Sequence, residues 1–78
     1  MRSSRRFSVY VDRLGQKEFL AYERRLADSS AYAWTVDPSH ALRMTQKRAE
    51  RLIKRYGLEA RLCEITDAGH HYHVNFHF

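Results

Sequence analysis

The stretch Thr45 to Gly57, TQKRAERLIKRYG, carries the clearest helical period in this 78-residue chain, and it constrains everything around it. Ala49, Leu52, Ile53 and Tyr56 recur at i, i+3, i+4 and i+7, which draws an apolar stripe along one side of a helix. Thr45 is a side-chain acceptor at the N-cap, and Gly57 supplies the αL stop. A helix of about three turns is marginal in water by itself, so the remaining residues must build the surface that buries this stripe.

They read as strands. In RFSVYVD, Phe7, Val9 and Val11 alternate with Ser8, Tyr10 and Asp12, the period-2 pattern of a half-buried strand. Gly15, tolerant of positive φ, turns the chain into KEFLAYERR. LADSS is loop chemistry, and AYAWTV then alternates Tyr32, Trp34 and Val36 against Ala31, Ala33 and Thr35. Asp37 and Pro38 open a single helical turn through SHALRM. After the helix, LEARLCEIT is a fourth strand, DAG a turn and HYHVNFHF a fifth strand. The order β-β-β-α-β-β predicts an α+β domain in which a small antiparallel sheet carries one amphipathic helix on one face. Residues 1–78 form a single domain, with 1–6 a loose basic end. A chain this short buries only about 60% of its unfolded surface, which argues against a large internal active site.

Charge is concentrated in the helix. Arg43, Lys47, Arg48, Arg51, Lys54 and Arg55 stand against Glu50 alone, so this segment holds the whole net charge of +5. On a helical wheel Lys47, Arg51, Lys54 and Arg55 cluster opposite the apolar stripe, with Arg48 on the flank. Such a ridge suits phosphates or an acidic protein surface. The competing reading is a helix face kept basic for solubility, with Glu50 and Lys54 as an i, i+4 pair.

Four of the five histidines fall in the last nine residues. Alternation puts Tyr72, Val74, Phe76 and Phe78 on one face of the last strand and His71, His73, Asn75 and His77 on the other. His71 and His73 are close enough to share a Zn²⁺, but a site needs a third or fourth ligand, so a solvated or partner-facing strand is the expectation and no metal or other cofactor is predicted. Tyr10 and Tyr22 are assigned to the face away from the helix, where aromatics can stack bases. Phe7, Phe19, Trp34, Phe76 and Phe78 are assigned to the core. The single cysteine, Cys63, has no intrachain partner and is expected to be buried and unreactive.

For catalysis the sequence offers no phosphate loop, nucleophile elbow or paired carboxylates. His40 beside Ser39 is an isolated pair in a loop, and the expectation is a protein that is not an enzyme. No apolar run reaches the roughly 20 residues of a membrane span, and the start lacks a signal-peptide core, so a soluble, cytoplasmic protein without membrane association is expected.

The stretch YAWTVDPSHALRMTQKRAERL resembles small orphan proteins of bacteriophages and prophages, a group that includes anti-CRISPR proteins. Trp34, Thr35, Asp37, Ala41, Met44, Thr45 and Ala49 carry the likeness, with Met44 where an aromatic is expected. The resemblance implies the fold and a phage origin in a bacterial host. Three readings follow. The first is a binding module that docks its basic helix face on a host protein or ribonucleoprotein complex of defence. The second is direct, sequence-tolerant nucleic-acid binding by the same ridge, assisted by Arg2, Arg5 and Arg6. The third is a homodimer or larger assembly through the last, edge strand.

Overall fold

The computed structural model describes residues 5–25, 30–69 and 71–77. Of the end expected to be loose over 1–6, residues 1–4 with Arg2 lie outside the described residues, as do 26–29 of LADSS, His70 and Phe78, while Arg6 is tied to β4 by the Ile65 amide donating to its carbonyl at 2.7 Å. Five strands, β1 (Phe7–Arg13), β2 (Gln16–Arg25), β3 (Ser30–Thr35), β4 (Ala60–Ala68) and β5 (His71–Phe76), form one antiparallel sheet in the order β3-β2-β1-β4-β5. The helix α1 (Gln46–Tyr56) lies between β3 and β4 in the chain, so the α+β architecture with the order β-β-β-α-β-β is as the sequence predicts.

Strand boundaries shift from the expected ones for local reasons. Val36 leaves the ladder and is exposed, and the single turn before α1 covers only Pro38–His40. Residues Gly57–Glu59 continue α1 as a 3-10 turn, so β4 starts at Ala60 and runs through Asp67 and Ala68, which were expected to turn. Gly57 has a positive φ of 75°, but its ψ of −146° is the mirror-extended region open essentially to glycine, not αL. The β1–β2 hairpin turns on Leu14 and Gly15, both at positive φ, and the Gly15 amide donates to Asp12 Oδ1 at 2.9 Å.

The sheet order explains the burial of β1. β1 is the central strand, and its face away from the helix is covered as well, by Ala41 and Leu42 before α1 and by Phe76 of β5, so Ser8 and Tyr10 are buried rather than outward-facing. On the helix face Phe7, Val9, Val11, Leu20, Met44 and Ala60 receive Ala49 and Leu52, with Trp34, Ile53, Tyr56 and Leu62 at the margin. Each fully buried apolar side chain of this kind stabilises the fold by roughly 1.5–3 kcal/mol. On the other face a second, smaller cluster joins Tyr10, Phe19, Cys63 and Ile65 to Ala41, Val74 and Phe76.

The segment before α1 is built into the sheet. β1 and β2 pair only as far as Tyr10 and Phe19, and beyond that point they diverge. Residues 42–44 occupy the gap: the Leu42 amide donates to the Leu20 carbonyl at 2.7 Å, and Met44 and Phe7 exchange backbone hydrogen bonds of 2.8 and 3.0 Å. Ser8 Oγ donates to the Leu42 carbonyl at 2.8 Å, which satisfies its buried hydroxyl. This anchoring fixes where α1 begins and therefore which of its sides meets solvent.

Candidate functional site

Thr45 caps α1 as expected, accepting from the Arg48 amide at 3.3 Å. With Ala49 and Leu52 buried, the helical period turns Lys47, Arg51 and Lys54 to the opposite side, where all three are exposed. They rise over about 10 Å of helix axis. Together with Glu50 and Ile53 they line a shallow groove of about 580 Å³. Among the described residues none of the three cations makes an ion pair, and the Glu50–Lys54 pair expected from spacing is not closed.

The other predicted basic residues are placed differently. Arg55 follows Arg48 by seven residues, two turns, so both stand on the same flank and lean toward β2. Arg48 Nη2 donates to Glu23 Oε1 at 3.1 Å, and Arg55 Nη1 lies 3.7 Å from Glu23 Oε2 while donating to the Tyr32 hydroxyl at 3.1 Å. The hydrogen bond to Tyr32 holds the Arg55 guanidinium above its ordinary range. The expectation that Arg55 belongs to the outermost cluster is corrected by this clasp.

Glu23 is the residue that sequence reasoning missed. Its side chain is only 16% exposed, and a β-bulge puts it there. Leu20 pairs with Trp34 and Tyr22 with Ala33, so Ala21 is an extra residue that reverses the alternation of β2. Glu23 thereby joins Tyr32 under the helix, and Tyr22 is sent to the opposite face, 52% exposed. Tyr56, edge-on to both Tyr32 and Trp34, completes the cluster; burial first, then Tyr32, raises its hydroxyl far above the usual phenol range.

Arg43 precedes α1 and reaches the other side of the sheet. Its Nη2 lies 3.5 Å from Asp67 Oδ1, and its guanidinium stands 5.0 Å from the Tyr72 ring centroid. Arg43 and Arg48 still line a small cleft of about 100 Å³ together with Arg5, Met44 and Thr45. Arg6 is paired with Glu64.

No protein-family model, no curated protein and no solved structure matches this chain. Its function must be read from its own geometry.

His71 and His73 take consecutive positions on the helix side of β5, opposite Ala68 and Thr66, and both are exposed. Among the described residues no group of three or more His, Cys, Asp or Glu side chains converges as a metal would require. Tyr10 does face away from the helix, but it is 1% exposed beneath Phe76, with its hydroxyl donating to the His77 carbonyl at 3.2 Å, so it offers no stacking surface. Phe7 and Phe19 are core as expected, while Trp34 and Phe76 are half-buried.

Ser39, His40 and Asp37 do meet, in a capping arrangement. Asp37 Oδ1 accepts from the Ser39 amide at 2.9 Å and from Ser39 Oγ at 2.7 Å, and His40 Nδ1 is 3.5 Å from Asp37 Oδ2. The Ser39 proton is thus directed at the carboxylate rather than at the imidazole, and the hydrogen bonds from Ser39 hold the Asp37 carboxyl below its usual range. Cys63 is fully buried, and burial pushes its thiol up to about 12. Among the described residues no helix is long and apolar enough to cross a membrane.

Proposed function

We propose that this protein is a non-catalytic binding module of the bacterial cytoplasm that docks through Lys47, Arg51 and Lys54, with Ile53 beside them, on an acidic surface of a host macromolecular complex. The observation that carries the reading is the division of labour along α1: Arg48 and Arg55 are engaged by Glu23, whereas these three cations face solvent. Ile53, half-buried in the same groove, favours a protein partner over a bare phosphate track, because interfaces combine an apolar centre with a charged rim. The resemblance of the central stretch to phage and prophage proteins directs the proposal to a complex of bacterial defence, as an anti-CRISPR-type inhibitor would require. The test is phage plating on cells that carry an active CRISPR system and express the protein. Wild type restores plating, and K47E/R51E/K54E does not; equal plating with both proteins rejects the surface, and no effect of wild type rejects the target.

The second reading is direct nucleic-acid binding by the same face. It is favoured by Arg5, which lines a cleft with Arg43 and Arg48 at the start of α1 and extends the positive strip.

A further inference from the structure

The segment His71 to His77, HYHVNFH, is a chemical palindrome about Val74: polar His73 and Asn75 flank it, then aromatic Tyr72 and Phe76, then His71 and His77. It is also the outer edge of the sheet, since among the described residues β5 pairs only with β4. The His77 amide donates to the Leu62 carbonyl at 2.9 Å, which continues the β4–β5 ladder by one residue. In an antiparallel ladder such bonds alternate, so odd-numbered residues of β5 bond inward and the N–H and C=O groups of Tyr72, Val74 and Phe76 point to the free edge.

The geometry points to a homodimer formed by antiparallel pairing of β5 with β5 of a second copy, the two-fold axis passing through Val74. In this register Val74 meets Val74, and Tyr72 meets Phe76 twice, all in hydrogen-bonded positions that use every outward-facing backbone group of the strand. Side chains follow the same symmetry. On the face of the second core, where Val74 and Phe76 are half-buried and Tyr72 is 39% exposed, valine covers valine and aromatic covers aromatic. On the helix face His71 lies opposite His77 twice, and His73 opposite Asn75 twice. A one-residue slip would set aromatics against histidines and lose both matches.

Charge as well as symmetry favours a second copy as the partner. A chain of net charge +5 repels its copies, yet between His71 and His77 it holds no Asp, Glu, Lys or Arg. The strand thus has no charged residue, proline or bulge of its own to keep the edge from pairing, and the cations over its aromatic face are Arg43 at 5.0 Å from the Tyr72 ring and Lys17 at 5.2 Å from the Phe76 ring. A second copy presents an edge that this palindrome matches at each position from His71 to His77. The surface is distinct from the groove on α1, so its success or failure is independent of the proposed function.

The experiment is sedimentation equilibrium of the full chain at about pH 8, from micromolar to millimolar concentration, on wild type and two double variants at exposed positions. Wild type is expected to show a reversible monomer–dimer equilibrium. H71K/H77K sets lysine against lysine twice and is expected to dimerise at least about tenfold more weakly. H71E/H77K sets glutamate against lysine twice and is expected to dimerise at least as well as wild type. A wild type that stays monomeric throughout overturns the proposal, and so does dimerisation that is the same in both variants.

Discussion

Arg48 on α1 reaches Glu23 on β2 at 3.1 Å, and this contact decides which cations of the basic helix are available to a partner. The carboxylate sits where the bulge at Ala21 places it, and Arg55 closes on its second oxygen two turns further along.

Glu23→Ala therefore loosens the flank of α1. Arg48 and Arg55 are each about half exposed, so solvent screening limits the loss, and destabilisation of about 1–2 kcal/mol in urea unfolding is expected. Asp67→Ala, which removes an exposed partner of Arg43, should cost less than about 0.5 kcal/mol. Equal effects of the two changes would remove Glu23 from its assigned role.

Leu14 is a fully exposed residue at a φ of 55°, a conformation that costs a leucine about 1 kcal/mol. Asparagine tolerates it and, before Gly15, completes the preferred two-residue hairpin turn. Leu14→Asn is expected to raise stability by about 0.5–1 kcal/mol. A melting temperature at or below that of wild type would contradict the turn geometry.

Cys63 predicts an alkaline limit on stability. Burial raises the thiol to about 12 in the folded chain, so its contribution is fully present below the ordinary thiol pKa and is lost as pH rises from there toward 12. Tyr10 and Tyr56, both raised chiefly by burial, act in the same direction at higher pH. Between pH 8 and about 10, wild type should lose on the order of 1–2 kcal/mol more unfolding free energy than Cys63→Ala. Parallel pH profiles would show that the thiol ionises as freely in the folded chain as in the unfolded one. Native Cys63 should also resist thiol reagents until the protein is unfolded.

Much of this architecture is legible because local signals agree with the fold. Thr45 and Gly57 bracket α1, Asp37 and Pro38 open the short turn, and the period of Ala49, Leu52 and Tyr56 selects the buried side. What alternation cannot show is which strand becomes central. Ser8 and Tyr10 read as an outward side, and they are buried because Leu42 and, from the far end of the chain, Phe76 fold over that face of β1. The bulge at Ala21 has no signature in FLAYERR, where strict alternation would have put Leu20 and Tyr22 on one side and Glu23 on the other. The ion pairs of Arg48 and Arg55 depend on that bulge, which is why the basic ridge reads as five like residues in the sequence and, among the described residues, leaves three without an ion pair. A spacing of seven sets Arg48 and Arg55 on one flank of a helix and so points to a shared carboxylate, but it does not choose between Glu18 and Glu23 of β2.

The most direct test of the central claim, that Lys47, Arg51 and Lys54 form an anion-binding surface, is fluorescence anisotropy across a salt series. Labelled single- and double-stranded DNA and RNA and a labelled acidic peptide are titrated with wild type and with K47E/R51E/K54E. The account predicts that at least one ligand binds wild type with an affinity that falls as salt rises, and that the triple variant loses this binding while keeping its fold by circular dichroism. Binding of the acidic peptide alone supports protein docking, and tight nucleic-acid binding supports the second reading. No binding to any ligand, or the same binding by the triple variant, contradicts the account.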